Sequence, residues 1–171
     1  MYAPEAIIIT TSNPVDILNY YLYQQFDFSR KQLIGYTLND SLRFKWAIRT
    51  TLNIENHKVI DAPVLGEHGN SQVPIFSRVT CNGEQLSILP AQRKTIQEKI
   101  SKWFTQFNAL QINRTTGWTT AVGMGILINK LVETRLSNSI CSVILDGEYG
   151  ITGVSIGAPV LISSSGVHRV E

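Results

Sequence analysis

Charged residues and cysteines are both scarce in this sequence of 171 residues. Asp, Glu, Lys and Arg make up 16% of the chain, hydrophobic residues make up 43%, and the formal net charge is only +2. Low charge and abundant apolar residues exclude a disordered chain. A nearly neutral chain without a basic stripe also argues against binding to nucleic acid or to a membrane surface. We therefore expect one compact domain with its own hydrophobic core.

Cysteine usage and the amino terminus together predict a cytoplasmic protein. Cys81 and Cys141 lie far apart and belong to no CxxC or Cys/His cluster, which argues against a disulfide-rich scaffold or a structural metal site. One disulfide between them is allowed, but two reduced thiols are favoured. The first five residues lack the basic segment of a signal peptide, and no apolar run approaches the ~20 residues that span a bilayer.

Nucleotide-binding and zinc-protease signatures are missing. The sequence contains neither a Walker A motif nor an HExxH motif. Gly123-Met124-Gly125 follows no predicted strand and has no third glycine in place. The dinucleotide-binding fingerprint of a Rossmann domain is therefore absent from this chain.

Strand and helix patterns alternate without strict βαβ order, which favours an α+β fold. The β-branched run at residues 6–11 is typical of a strand buried on both faces. Because it begins so close to residue 1, we expect it to be exposed or paired with another chain. Helical spacing predicts helices at 15–26, 40–52, 91–110 and 119–136. Strands are predicted at 31–36, 58–65, 73–80, 141–145 and 154–162, with a turn at Asn82-Gly83.

His68 stands in the segment Gly66-Glu67-His68-Gly69-Asn70, after a predicted strand. Glycines on both sides let the backbone and a ligand approach closely, and an imidazole transfers protons near neutral pH. A histidine in such a turn can equally have no chemical role. Taken alone, the segment leaves both interpretations open.

Asp40, Arg43 and Asn13 are further candidates, each with a simpler structural interpretation. Asp40 and Arg43 are three residues apart on a predicted helix, so they can form an ordinary surface ion pair. Alternatively, the arginine grips a substrate carboxylate and the aspartate orients a histidine. Asn13 precedes a proline and can be a helix N-cap or can donate its amide to a ligand oxygen.

Three segments taken in order resemble the lactate/malate dehydrogenase family. They are Ser12-Asn13-Pro14-Val15-Asp16, Asn39-Asp40-Ser41-Leu42-Arg43-Phe44 and Leu65-Gly66-Glu67-His68-Gly69-Asn70-Ser71. Gly117-Trp118-Thr119-Thr120 and Asp146-Gly147-Glu148-Tyr149-Gly150-Ile151 are similar to later landmarks of the family. The resemblance runs from about Ala6 to the end of the chain. It implies the C-terminal domain of that family, a mixed or antiparallel sheet packed with long helices.

The resemblance also implies a catalytic role for two residues. His68 matches the family's proton donor and acceptor, and Asp40 matches the aspartate that orients it. Arg43 matches the arginine that binds the substrate carboxylate. The implied reaction is hydride transfer between a 2-hydroxy acid and NAD, with His68 taking or giving the hydroxyl proton.

Three more positions are implied to contact ligands. Asn13 matches an asparagine near both the nicotinamide and the substrate hydroxyl, and Ser12 beside it is assigned to the cofactor. Thr119 falls where lactate-type enzymes keep a threonine beside the substrate, although Trp118 replaces the more usual tyrosine. No metal ligand is implied. The implied partners are a small 2-hydroxy or 2-oxo acid and further copies of the chain, in a homo-oligomer without nucleic acid or membrane.

The segment around His68 favours one branch of the family. Gly66-Glu67-His68-Gly69 favours the lactate type over malate dehydrogenases, which commonly carry GGHG, and Asn70-Ser71-Gln72 resembles 2-hydroxyisocaproate dehydrogenases. Lys45 and Asp61 stand where fructose-bisphosphate-activated enzymes carry a basic residue and a histidine, so we expect no such activation. A malate dehydrogenase domain, or a domain retained only for oligomerisation or binding, is the alternative.

The resemblance implies a division of the chain. Residues 1–16 match the last strand and turn of a nucleotide-binding domain, and residues 17–171 match the catalytic domain without its final helix. Because the Rossmann domain is absent from this chain, we expect the 171-residue polypeptide to be inactive by itself.

Overall fold

The computed structural model describes residues 3–111 and 116–171. Within them lie four α-helices: α1 (Val15–Gln25), α2 (Leu38–Leu52), α3 (Pro90–Ala109) and α4 (Gly117–Val132). The strands of the same ranges are β1 (Ile8–Thr10), β2 (Leu33–Gly35), β3 (Ile60–Asp61), β4 (Val64–Leu65), β5 (Val73–Pro74), β6 (Thr80–Cys81), β7 (Glu84–Gln85), β8 (Ser137–Asp146), β9 (Thr152–Ser163) and β10 (Gly166–Val170).

A mixed five-stranded sheet is the centre of the fold, in the order β1-β2-β8-β9-β10. β1 runs parallel to β2, and the remaining neighbours are antiparallel. The predicted antiparallel pair near the carboxyl end is confirmed as β8 and β9, although both strands are longer than predicted. Strand β10 was not predicted. This mixed sheet with its helices confirms the α+β expectation.

Strand β1 differs from the expectation that residues 7–9 are exposed or paired with another chain. Ile8 and Ile9 are half-buried, and β1 is hydrogen-bonded along one side to β2 of the same chain. Ile7 and Ile9 pack against the apolar cluster of the sheet. Because Ile8 and Ile9 are only half-buried, β1 is not the fully buried strand that its β-branched sequence suggests.

Two predicted long strands are short pieces in the structure. Residues 58–65 form β3 and β4, with Ala62-Pro63 between them, and residues 73–80 form β5, a one-turn 3-10 helix at Phe76–Arg78, and the start of β6. Proline has no N–H to donate to a sheet, so Pro63 interrupts the ladder. The Asn82-Gly83 turn between β6 and β7 is confirmed. Helix α4 ends at Val132, before the predicted Leu136.

The hydrophobic core has two parts. One part lies between the five-stranded sheet and α4, and its buried residues are Ile34, Tyr36, Leu127, Leu131, Cys141, Val143, Leu145, Ala158, Val160, Ile162 and Val167. The other part lies between α2, α3 and the short strands, and its buried residues are Phe44, Ala47, Ile48, Ile60, Ala62, Val64, Val79, Ile88, Ile96 and Ile100. The start of α2 therefore lies where the two parts meet.

Within residues 3–111 and 116–171, no helix has the length and apolar character needed to cross a membrane.

Candidate active site

Helix α2 presents Asp40 and Arg43 on one face, as their spacing predicts. Asp40 lies in the first turn of α2, and its side chain is only 6% exposed. Its Oδ1 accepts a hydrogen bond from Nη1 of Arg43 at 3.2 Å. The interpretation of a solvent-exposed surface pair is therefore wrong, because both side chains are largely buried.

The loop after β4 brings His68 to the same carboxylate. Gly66 has a φ of +90°, which favours glycine, and its N–H and C=O each bond to Gly157 of β9 at 2.9 Å. Nδ1 of His68 lies 2.5 Å from Oδ2 of Asp40. One buried carboxylate thus contacts both candidate functional groups. Because Nδ1 is engaged, Nε2 is the ring nitrogen left for a ligand.

The contact with Asp40 and the burial of the ring shift the pKa of His68 in opposite directions. The hydrogen bond that the ring donates to Asp40 raises the pKa of the imidazole above its ordinary value, while burial lowers it. The negative charges of Asp40 and Asp16 also raise this pKa, and the charge of Arg43 lowers it. The net pKa shift is upward, so the site favours an imidazolium. Burial lowers the pKa of Arg43, but a guanidinium remains charged at neutral pH.

Helix α3 covers the guanidinium of Arg43 with an aromatic ring. The Arg43 Cζ lies 4.4 Å from the centre of the Trp103 ring, and Trp103 stacks on Phe107 with ring centres 5.2 Å apart. A cation above an indole face is attracted by the ring's quadrupole. Helical spacing predicted this helix at residues 91–110 but not the contact of Trp103 with Arg43.

Two adjoining cavities meet at these side chains. The first has a volume of about 410 Å³ and the second about 540 Å³. Asn13, Arg43, His68 and Phe104 line both of them, and Asp40 lines the first. The structure therefore brings four of the predicted site residues to one place, on α2, the His68 loop and the turn before α1.

Ser12 and Thr119 are placed differently from the other predicted residues. Both are exposed, and neither lines either cavity. Thr116 and Thr120 line the second cavity instead. One helical step changes the face by about 100°, so Thr119 and Thr120 face different sides of α4, and the substrate role of Thr119 stays a prediction.

A chain of hydrogen bonds forms one wall of the second cavity. The hydroxyl of Tyr36 donates to Oδ1 of Asn39 at 3.0 Å, and Nδ2 of Asn39 donates to Oγ1 of Thr120 at 2.9 Å. Burial raises the pKa of Tyr36 to about 12, so the phenol keeps its proton. Gly123 leaves room for the Tyr36 side chain, since a Cβ at position 123 would overlap the Tyr36 hydroxyl.

Comparison with known proteins shows the family of this chain. The family model described as lactate/malate dehydrogenase, alpha/beta C-terminal domain, matches residues 37–171. The chain belongs to the lactate/malate dehydrogenase family. A malate dehydrogenase of Halobacterium salinarum is 34% identical over 165 residues, which are 96% of this chain and 53% of the relative. L-lactate dehydrogenase 2 of Clostridium acetobutylicum is 34% identical over an alignment of 177 positions, gaps included, which covers 98% of this chain and 54% of the relative.

Solved structures agree on the fold of this family domain. The malate dehydrogenase of Aeropyrum pernix matches with a TM-score of 0.86 and 26% sequence identity, over 99% of this chain and 57% of that protein. The chain thus spans about half the length of the relatives that it matches. Members of the family are NAD-dependent oxidoreductases that act on 2-hydroxy acids.

One sequence pattern within this family domain resembles that of a different enzyme class. Gly153-Val154-Ser155-Ile156-Gly157 matches the GxSxG pattern of serine hydrolases. Here the serine lies inside β9 rather than on a strand-to-helix turn, and it is buried. Its hydroxyl accepts a hydrogen bond from Nδ2 of Asn19 at 2.9 Å and bonds to Ser142 Oγ at 2.8 Å. Ser155 is therefore a structural residue.

Lys45 and Asp61, the two positions that the sequence analysis compared with fructose-bisphosphate-activated enzymes, form an ion pair with each other. Nζ of Lys45 lies 3.2 Å from Oδ1 of Asp61, and the aspartate side chain is 73% exposed. A sugar phosphate at this place would meet a carboxylate and would compete with it for the lysine.

Proposed function

We propose that this chain is the substrate-binding and acid–base part of an NAD-dependent L-2-hydroxy acid dehydrogenase of the lactate type. The observation that carries the proposal is the arrangement of His68, Asp40 and Arg43 at one cavity, with a single buried carboxylate between the imidazole and the guanidinium. Asn13 adds an amide to the same cavity. Because the chain belongs to the lactate/malate dehydrogenase family, we assign this arrangement to the oxidation of a 2-hydroxy acid.

The charge of each side chain determines its role in substrate binding or proton transfer. Arg43 binds the carboxylate of the acid, because a guanidinium forms two parallel hydrogen bonds to a carboxylate. His68 exchanges the proton of the C2 oxygen through Nε2, since Nδ1 is held by Asp40. Asp40 fixes the tautomer and orientation of the ring and stabilises the imidazolium. The imidazolium also polarises the carbonyl of a 2-oxo acid.

The residues of the cavities fit the nicotinamide end of the cofactor. Asn13 lines both cavities beside His68, and its amide can donate to a ligand or accept from it. When bound, NAD would accept the hydride from C2 of the hydroxy acid, and NADH would return it. Neither described range contains a glycine-rich strand–helix phosphate loop. We therefore expect the isolated chain to show no NADH oxidation with a 2-oxo acid.

The choice of substrate within the family rests on two opposing observations. Glu67 before His68 supports the lactate type, as proposed. Malate is the second candidate, because most of the similar relatives found are named malate dehydrogenases. Oxamate, an analogue of pyruvate, and tartronate, an analogue of malate with two carboxylates, distinguish the two candidates by their relative affinities for the chain.

The test of the proposal is a titration of the isotopically labelled chain with oxamate, followed by the NMR signals of the His68 ring. We expect saturable shifts and tighter binding of oxamate than of tartronate. Arg43→Ala should weaken oxamate binding at least tenfold, which is ~1.4 kcal/mol. Arg43→Lys should recover only part of this loss, because an ammonium lacks the planar fork.

Arg78→Lys is the matched control, because Arg78 is exposed and lines neither cavity. It should bind oxamate as the unmodified chain does. Oxamate binding that is equally strong in Arg43→Ala would contradict the proposal. So would the absence of any His68 shift at millimolar oxamate.

A further inference from the structure

Helix α1 is fixed to the sheet by a buried side chain. Asn19 is completely buried, and its Nδ2 donates to the carbonyl of Ser142 at 3.2 Å and to Oγ of Ser155 at 2.9 Å. Its Oδ1 accepts from the hydroxyl of Thr10 at 3.3 Å. These contacts join α1 to β1, β8 and β9. The helix is therefore a fixed reference point for any loop that contacts it.

Asp16 lies one turn before Asn19 and contacts the His68 loop. Its Oδ2 accepts a hydrogen bond from the backbone N–H of His68 at 2.7 Å. Its Oδ1 is buried and has no hydrogen-bond partner within the described ranges. The carboxylate of Asp16 is thus directed at the loop, although its place in the first turn of α1 suggested only a role at the helix terminus.

Among the residues that the structure describes, hydrogen bonds hold the His68 loop to the rest of the fold at three points. Gly66 bonds to Gly157 of β9, the His68 ring bonds to Asp40 of α2, and the His68 backbone bonds to Asp16 of α1. The first contact fixes the start of the loop, and the second fixes the ring. The contact with Asp16 is what fixes the main chain at His68 itself.

We propose that Asp16 is a positioning residue, whose carboxylate holds the His68 backbone so that Nδ1 meets Asp40 and Nε2 faces the cavity. The proposal rests on the function proposed above for His68. Two carboxylates from two helices then hold one histidine, one through its main chain and one through its ring. The charge of Asp16 also contributes to the raised pKa of His68. Asp16 does not touch the reacting atoms.

The first test is the hydrogen exchange of the His68 amide, measured by NMR on the 171-residue chain. Asp16→Ala should increase this exchange rate at least tenfold, because the acceptor is lost. Asp16→Asn keeps an acceptor oxygen and should retain most of the protection. Asp27→Ala is the control, since Asp27 is exposed and lies just after α1. Amides of β8 should exchange at the same rate in all these variants if the fold is intact.

The second test is the pH titration of the His68 ring in the same variants. Asp16→Asn should lower the pKa of His68 while the amide stays protected, because only the charge is removed. A purely structural residue would leave this pKa unchanged. Asp27→Asn should leave it unchanged as well.

The outcomes separate this inference from the proposed function. Unchanged amide exchange in Asp16→Ala, or an unchanged His68 pKa in Asp16→Asn, would overturn the role of Asp16 even if oxamate binds. A chain that fails to bind oxamate but shows both effects would overturn the function of the site and leave the contact between Asp16 and the loop established. If Asp16→Ala does not fold, the pKa of His68 in Asp16→Asn decides whether Asp16 has the proposed role.

Discussion

Nδ1 of His68 lies 2.5 Å from Oδ2 of Asp40, and the other oxygen of that carboxylate accepts from Arg43. One aspartate therefore holds both the candidate acid–base group and the candidate carboxylate-binding group. Its side chain is only 6% exposed, so the negative charge is poorly screened by water. Changes at Asp40 should consequently affect proton transfer and substrate binding together.

Asp40→Asn should lower the pKa of His68, because the hydrogen bond that raises it loses its charge. Because folding raises the pKa of His68, its protonated ring adds stability that is present below its unfolded pKa and is lost as pH rises through its folded pKa. Oxamate affinity should decrease as pH rises through the folded pKa of His68, and this decrease should occur at lower pH in Asp40→Asn. NMR titration of the ring measures the shift, and an unchanged pKa would contradict it.

Gly123 and Gly125 form a matched pair of substitutions within α4. A Cβ at Gly123 would overlap the hydroxyl oxygen of the buried Tyr36, whereas a Cβ at Gly125 meets nothing within 4 Å. Gly123→Ala should lower the free energy of unfolding by about 1–3 kcal/mol. Gly125→Ala should leave it unchanged or raise it by up to ~1 kcal/mol. Urea unfolding of both variants measures the difference, and equal stabilities would be inconsistent with the packing of α4 on Tyr36.

Asn19→Ala should destabilise the fold by about 2 kcal/mol, because the buried partners of the amide lose their hydrogen bonds. Gln25→Ala provides the comparison, since Gln25 is exposed at the end of the same helix. It should change stability by less than ~0.5 kcal/mol. Thermal and urea denaturation measure both variants. Similar losses in the two would show that the contacts of Asn19 with the sheet contribute nothing specific.

Trp103→Leu should weaken oxamate binding about two- to fivefold, because the guanidinium of Arg43 loses the ring that covers it, a contact of ~0.5–1 kcal/mol. Trp103→Phe should lose less, since it keeps an aromatic face. Trp46→Leu is the control, because Trp46 lies on α2 but lines neither cavity. If the control loses as much affinity as Trp103→Leu, the effect does not come from the contact with Arg43.

The residues that the sequence identified are those that occur in short local patterns. Asp40 and Arg43 are one turn apart on a helix, and His68 stands between glycines, so their types and spacing could be recognised without a structure. The structure brings all three to one cavity, and their roles stay a prediction. The hydrogen bond between Asp16 and His68 could not be predicted, because it joins residues 52 positions apart and depends on how α1 packs on the sheet.

Other parts of the site depended on packing that no local pattern records. Trp103 belongs to an amphipathic stripe, and periodicity alone does not show which apolar residue meets Arg43. The threonines that line the second cavity are Thr116 and Thr120, because the start of α4 sets which side chains face inward. Strand β10 was not predicted, because this short segment is a strand through its pairing with β9, which its own sequence does not show.

The proposed site binds a 2-oxo acid through a protonated His68 together with Arg43. Calorimetry of oxamate binding above the pKa of His68, in buffers of different ionisation enthalpy, measures whether a proton is taken up on binding. We expect uptake of about one proton for each oxamate bound, and no uptake in His68→Gln. Oxamate binding without proton uptake, or the same uptake in His68→Gln, would contradict this mode of binding.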